Sequence, residues 1–400
     1  MKKITENATI DRLVLYEVKI PFKVPFRISK GVAYYRKSLI VEMREKDIVG
    51  FGESAPFEYP FYSSETTESA KYLLSSFFFP NIIGVEIQSI RHMNEFLNNS
   101  IVGNNFAKAA LETAFWDLIA KKNNIPLKEL LKIKMKELGV KSKYLESEDY
   151  IESGISIGIP ENGDKRVFRN WIKDAIKAGY KRVKIKIKSG WDVEPLKITR
   201  DILGYDFPLW TDSNASYTLK QIDVFKKLDE FECLFHEQPL YVDNYLENLE
   251  LSKYIKTPIC LDESLKSYNI AKQVLKLGIS KIWNLKIQRI GGLYEAIKIY
   301  KLATANEVDL WGGTMPETGL GALFIMNIGS FKGFKYPSDV EPSKRWFEDG
   351  MDLVELEMSD GKIYIPNGPG IGVEPNFEII KKYGKKVMEL KVKKSTVREF

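Results

Sequence analysis

Histidine and cysteine are nearly absent: the 400 residues include 2 of each. Cys233 and Cys260 cannot build a disulfide framework and read as small buried hydrophobes, which points to a reducing, cytosolic setting. His92 and His236 leave no obvious histidine base. No apolar run is long enough to cross a bilayer: Tyr72–Ile83 is too short and too interrupted, and Met1–Asn7 lacks the apolar core of a signal peptide. A soluble, cytoplasmic protein is expected. Charge of one sign does not accumulate either. The net charge is +6 and the lysines are scattered, so neither nucleic acid nor a membrane surface is an expected partner.

What is present is a period. Lys184-Ile-Lys186, Trp210-Thr-Asp212-Ser-Asn214, His236-Glu237-Gln-Pro239, Leu261-Asp262-Glu263 and Leu285-Lys286-Ile287 each place a charge at the end of a short apolar, β-branched run. From Lys186 to Asp212, Glu237, Asp262 and Lys286 the intervals are 26, 25, 25 and 24 residues. A strand, a helix and two loops need roughly 25 residues, so the period predicts successive βα units of a parallel barrel. All five charges then converge on the face where the strands end. With 44% apolar residues the chain can bury a large core, and its length suits a barrel of about 250 residues plus a smaller domain.

Taken in order, Ile10–Ile20 and Ser38–Arg44 predict antiparallel strands, with Gly50-Phe-Gly52 completing a meander. The Pro- and aromatic-rich loops Pro21–Gly31 and Glu53–Ser64 are candidate lids, with Phe22, Phe26, Arg27 and Tyr59 as candidate lining. Helices are expected near 64–77, 87–98 and 104–123, and a connection over 131–152. Barrel strands are expected at 154–158, 182–187, 208–212, 234–237, 258–262, 281–286, 308–312 and 333–336. A short helix should begin near Thr318. From 353 onward the chain predicts a strand pair, then a basic, helix-like tail returning to the first domain. The expected division is 1–131 for an α+β capping domain, 154–352 for the barrel and 353–400 for the returning segment. Self-association into a homo-oligomer is expected of a barrel of this size.

Three carboxylates at adjacent strand ends, Asp212, Glu237 and Asp262, make an all-oxygen set that favours Mg²⁺ over Zn²⁺, with Mn²⁺ a further possibility. Strand alternation turns His236 away from them. Lys186 and Lys286 flank the acids, and a dication together with Lys184 would lower the pKa of Lys186 toward the range of a base. A small carboxylate substrate could then lose its α-proton to Lys186, with the charge of the enediolate met by the cations. Asn214 and Glu263 are placed to orient the acids.

At these residues the chain resembles the enolase superfamily, and within it the muconate-lactonizing subgroup. The likeness covers nearly the whole sequence: Lys-x-Lys, Asp-x-Asn, Glu-Gln-Pro, Asp-Glu and Lys stand in family order. It implies an α/β fold, a (β/α)₇β TIM-like barrel with an N-terminal α+β capping domain completed by the C-terminal segment. It also implies Asp212, Glu237 and Asp262 as Mg²⁺ ligands, with Lys186 and Lys286 as catalytic lysines on opposite faces of the substrate. Arg182–Asp192, Glu317-Thr-Gly-Leu-Gly321 and Pro337–Asp349 resemble the o-succinylbenzoate synthase and N-acylamino acid racemase branch, in which the serine matching Ser156 holds the succinyl or acyl arm. That branch implies dehydration of a cyclohexadiene carboxylate in menaquinone biosynthesis, or racemisation of an N-acyl or N-succinylamino acid by the same lysines. Where the branch has Gly-Gly-Met-x-Glu this chain reads Gly312-Gly-Thr314-Met315-Pro-Glu317, which alters the pocket floor. Dipeptide epimerases carry an acid pair after the eighth strand. Here the matching site offers Asp339, so that activity is less expected, as is a non-catalytic relic of the fold.

Overall fold

Two glycines set how the first sheet meets its helix. In the computed structural model, which describes residues 4–28 and 31–392, a Cβ on Gly50 would stand 2.2 Å from Ala114 O and one on Gly52 2.1 Å from Ala110 O. Strand Ile48–Ser54 can therefore lie directly on helix Asn105–Lys122, which is buried on every side from Phe106 to Ala120. The helix thus carries far more than the stripe Leu111, Phe115, Leu118, Ile119 that periodicity predicts. Ile48–Ser54 is the edge of a four-stranded antiparallel sheet ordered Gly384–Lys391, Arg12–Ile28, Gly31–Glu45, Ile48–Ser54.

Several expected elements shift. The helix foreseen at 64–77 starts at Thr67, behind a capping box on Thr66, and widens into a π-turn over Leu74–Phe78 before ending at Ile82. Pro80 explains the widening: it has no N–H to donate and its ring crowds the preceding turn. The following helices run Ile90–Ser100 and Asn105–Lys122. Helix Leu127–Glu137 occupies the start of the expected connection and runs through residue 131. The basic tail is not helix-like. After helix Phe377–Tyr383 it becomes strand Gly384–Lys391, with Met388 opposite Leu15 and Leu390 opposite Leu13, because the free edge of Arg12–Ile28 offers a row of backbone partners. Residues 393–400 lie outside the described residues.

The central element is an eight-stranded parallel sheet curled into a TIM-like barrel. Its strands are Ile155–Ile157, Val183–Lys186, Leu209–Asp212, His236–Glu237, Ile259–Leu261, Ile282–Leu285, Asp309–Gly312 and Phe334–Tyr336, paired in chain order. First and last strands meet at a seam held by a bridge between Ser153 and Ser338, with Gly154 N donating to Ser338 O at 2.8 Å. Helices follow the first seven strands. After the eighth, residues 337–361 contain a 3₁₀ turn, Ser343–Arg345, before strand Lys362–Tyr364 pairs with Tyr150–Glu152. The helix after the seventh strand is not short: Gly319–Gly329 spans 11 residues, nearly all buried. Among the described residues no helix is long and apolar enough to cross a membrane.

Two carboxylates of the antiparallel layer dock it onto barrel helices. Glu53 accepts from Thr318 Oγ1 at 2.6 Å and Gly321 N at 2.9 Å, capping helix Gly319–Gly329. Glu112 accepts from Leu293 N at 2.7 Å, Tyr294 N at 2.8 Å and Trp116 Nε1 at 2.6 Å, capping helix Leu293–Ala305. Burial pushes the Glu112 carboxyl from 4.5 to about 7 against the pull of those donors. The folded chain then holds a proton that the unfolded chain has released. The resulting stabilisation is complete below pH 4.5 and is lost as pH rises to about 7. Urea titrations at pH 5 and pH 7.5 should therefore show a shallower fall in stability for Glu112→Gln than for the parent, whatever its absolute stability. An equal fall in both would exclude Glu112 as the titrating group.

Candidate active site

Strand register builds the site. Ser156 pairs with Lys184, Lys186 with Asp212, and Asp212 with Glu237. Alternation then points Lys184, Lys186, Asp212 and Glu237 into the barrel mouth. Beneath them Trp210, Phe235, Cys260, Ile282 and Trp311 form an apolar plug, with Trp210 and Phe235 rings 4.5 Å apart. The plug removes water from below, so charges above it interact strongly.

The three acids are fully buried or nearly so. Asp212 Oδ2 takes Lys186 Nζ at 2.5 Å, and Lys186 also reaches Asn214 Oδ1 at 2.8 Å. Lys184 lies among Asp339 at 2.6 Å, Glu237 at 3.2 Å and Asp212 at 3.6 Å. Burial works against its ammonium, but Asp339, Glu237 and Asp212 outweigh burial and raise its pKa. Lys184 is thereby held as a fixed cation in the carboxylate cluster. Lys286 Nζ bonds Tyr62 Oη at 2.8 Å and Asp262 Oδ2 at 3.0 Å, and its pKa is raised, Asp262 overcoming burial. Burial likewise opposes the carboxylate of Asp262, yet Arg289 and Lys286 hold it far below the usual range. Burial and then the charge of Asp212 push Glu237 up to about 8.

Asn214 and Glu263 bind each other at 3.0 Å, and Asn214 N donates to Asp212 Oδ1 at 2.9 Å, so both brace the acids. His236 is turned away as alternation requires, with Nδ1 2.6 Å from Thr211 Oγ1. The cavity above the lysines is lined by Phe26, Tyr62, Ser156, Lys184, Lys186, Lys286, Thr314 and Met315, among others.

Three expected lining residues stand elsewhere. Tyr59 is 67% exposed and outside the lining; Tyr62, three residues on, points inward instead. Phe22 packs behind the lid, its ring 5.7 Å from Phe347 and 5.8 Å from Trp346. Glu317 folds back to accept from Met315 N at 2.7 Å and faces a neighbouring cavity. Arg27 has no described side chain. Asp339 is not the lone acid after the eighth strand: Glu341 also lines the cavity. Neither is free, since Arg182 and Lys184 hold Asp339 while Arg345 stands 3.4 Å from Glu341.

Sequence reasoning passed over Arg289 and Asn284. Arg289 binds Asp262 Oδ1 and Asn284 O, while Asn284 Nδ2 donates to Glu237 Oε1 at 2.8 Å. Alternation carried two residues back from Lys286, and one helical turn forward, would have found both.

Comparison with known proteins bears on this geometry. Residues 10–132 match the N-terminal domain of the mandelate racemase/muconate lactonizing enzyme family, and residues 168–379 match the enolase C-terminal domain-like family. The chain belongs to the enolase superfamily. An o-succinylbenzoate synthase of Geobacillus kaustophilus is 36% identical to this superfamily member over 94% of this chain and 96% of that protein. An N-succinylamino acid racemase of Thermus thermophilus is 34% identical over 93% and 96%. A solved enolase-superfamily structure from Listeria innocua superposes with a TM-score of 0.86 at 29% identity, covering 96% of this chain and 99% of that one. The protein is thus an enolase-superfamily enzyme acting on a small molecule, and members of the superfamily generally use a divalent metal.

The residues present fit such an ion in their donor chemistry. Asp212, Glu237 and Asp262 are hard oxygen donors from three adjacent strands, and Glu237 Oε2 accepts no hydrogen bond despite its burial. As the side chains stand, lysine and arginine cations engage these oxygens, and among the described residues no three acidic, histidine or cysteine groups stand together as a ligand set.

Proposed function

We propose that this chain is a Mg²⁺-dependent o-succinylbenzoate synthase. The observation that carries the reading is the pairing of each lysine with a different acid: Lys186 with Asp212 and Lys286 with Asp262, both lining one cavity. Asp212, Glu237 and Asp262 would hold the ion, which supplies positive charge that makes the α-proton of a carboxylate substrate more acidic. Lys186, as the neutral amine, takes the α-proton of 2-succinyl-6-hydroxy-2,4-cyclohexadiene-1-carboxylate. It then returns that proton to the departing hydroxide, which leaves as water. Lys286 stays an ammonium and stabilises the enediolate, in keeping with its raised pKa beside Asp262. Ser156, Thr314, Met315 and Phe26 contact the substrate from the cavity wall.

A second reading, N-succinylamino acid racemase, is favoured by the near-equal identities to relatives bearing the two names, 36% and 34%. There the two lysines exchange the α-proton on opposite faces. Assay of the purified protein with both substrates separates them: turnover of an N-succinylamino acid without dehydration rejects the synthase reading.

Tyr62 joins the lid to this chemistry through its bonds to Lys286 and Asp262. Tyr62→Phe should lower kcat about tenfold, the worth of one charged hydrogen bond, with an unchanged melting temperature. Unaltered kcat would remove Tyr62 from the machinery.

A further inference from the structure

The cavity over the lysines is small, about 40 Å³, but it opens into a second space of about 910 Å³. Phe26, Ser156, Lys186 and Trp346 line both, so the two are one connected volume with the Phe26–Trp346 ring pair, 5.6 Å apart, at the junction. The larger space exists because the eighth barrel strand is not followed by a covering helix. The chain from Pro342 to Met358 descends past the seam, and a groove remains between it and helix Lys165–Lys177.

The helix wall of the groove is patterned. Phe168, Ile172 and Ala175 face the barrel, while Val167, Trp171, Asp174 and Ala178 form the neighbouring stripe at helical spacing and line the groove. Val167 and Trp171 are each 38% exposed, an apolar surface that opens directly from the catalytic cavity. Pro342, Trp346 and Met358 make the facing wall, and Lys344, which forms no ion pair among the described residues, stands at its rim. The inner cavity falls far below the roughly 300–1,000 Å³ of ordinary ligand pockets, whereas the connected pair lies within that range.

We infer that the seam groove is a second lobe of the substrate site, which receives a long apolar acyl or aryl-acyl arm on the nitrogen of an N-acylamino acid whose carboxylate lies at the lysines. The inference rests on the reading of the barrel mouth as a carboxylate site. Trp171 and Trp346 grip the arm, and Ser156 stands where it leaves the inner cavity.

The test uses the full chain with Mg²⁺ and the parent, Trp171→Ala and Ala178→Trp forms. Binding of N-succinyl-, N-octanoyl- and N-(phenylbutanoyl)-phenylalanine is measured by calorimetry, beside turnover of each. Ala178 is exposed, so tryptophan there fills the groove without touching the core. Both variants should weaken the two long-arm ligands tenfold or more and leave the succinyl ligand within twofold. Equal effects on all three ligands, or none, overturn the second lobe. So does a change of oligomeric state in Ala178→Trp with arm preference unaltered, which would assign the groove to a second copy of the chain. Because binding is read apart from turnover, a parent that binds long arms without turning them over counts against the racemase reading and leaves the lobe standing. A parent that binds none of the three ligands counts against the carboxylate site and the lobe together.

Discussion

Lys186→Ala is expected to lower kcat by about 10³-fold or more, the range lost when a positioned general base is removed. The residue is buried at the end of its strand, 2.5 Å from Asp212 and 2.8 Å from Asn214. No histidine stands ready to replace it: His236 is committed to Thr211 and His92 lies in the helix Ile90–Ser100. Lys184 cannot substitute either, since three carboxylates keep it protonated. Lys186→Arg sharpens the test. Arginine preserves the cation beside Asp212 but does not release its proton near neutral pH, so it should be as inactive as alanine. If Arg restores activity, the role of Lys186 is charge alone, and if Ala stays within tenfold of the parent the base is another group. Melting temperatures of both variants should stay near that of the parent, because Lys184 and the Asn214 N–H still serve Asp212.

Glu237→Gln should separate metal binding from folding. Glutamine matches the shape and still offers an oxygen to Asn284 Nδ2, which now lies 2.8 Å from Glu237 Oε1. It lacks the charge, and an amide nitrogen replaces one of two oxygens on the middle strand of the acid set. Affinity for a divalent ion should fall about 100-fold or more, since charge count governs hard-cation sites. Calorimetric titration of chelator-stripped protein with Mn²⁺ measures this, and activity restored by Mg²⁺ should be lost in parallel. Stability in chelator should change by roughly 1 kcal/mol or less, because the packing and one hydrogen bond persist. Unchanged ion affinity would remove Glu237 from the ligand set.

These two changes probe the barrel mouth, but the cap completes it. Glu53 and Glu112 seat the antiparallel layer on the N-termini of two barrel helices, and that placement delivers Tyr62 to Lys286 and Phe26 to the cavity rim. The cap is thereby a wall of the same site as the strand-end charges, built from a part of the chain more than 120 residues away.

The parallel barrel and its charged mouth were legible in the chain because both follow from short-range rules. A period near 25 residues predicts βα units, and alternation along a strand predicts which side chains share the mouth. Ser156, Lys184, Lys186, Asp212 and Glu237 obey those rules in the observed register. Tertiary structure alone decided what has no period. Which tyrosine of the second loop turns inward depends on where the loop meets the barrel, and Tyr62 rather than Tyr59 does so. The basic tail became a strand because a sheet edge 370 residues earlier was open to it, as the pairing of Gly384 with Val18 through Lys391 with Arg12 records. The groove along helix Lys165–Lys177 exists only because a distant segment, Pro342–Met358, passes the seam without forming a helix. Local patterns carry direction and spacing along the chain; contacts between segments far apart in it depend on how the layers pack.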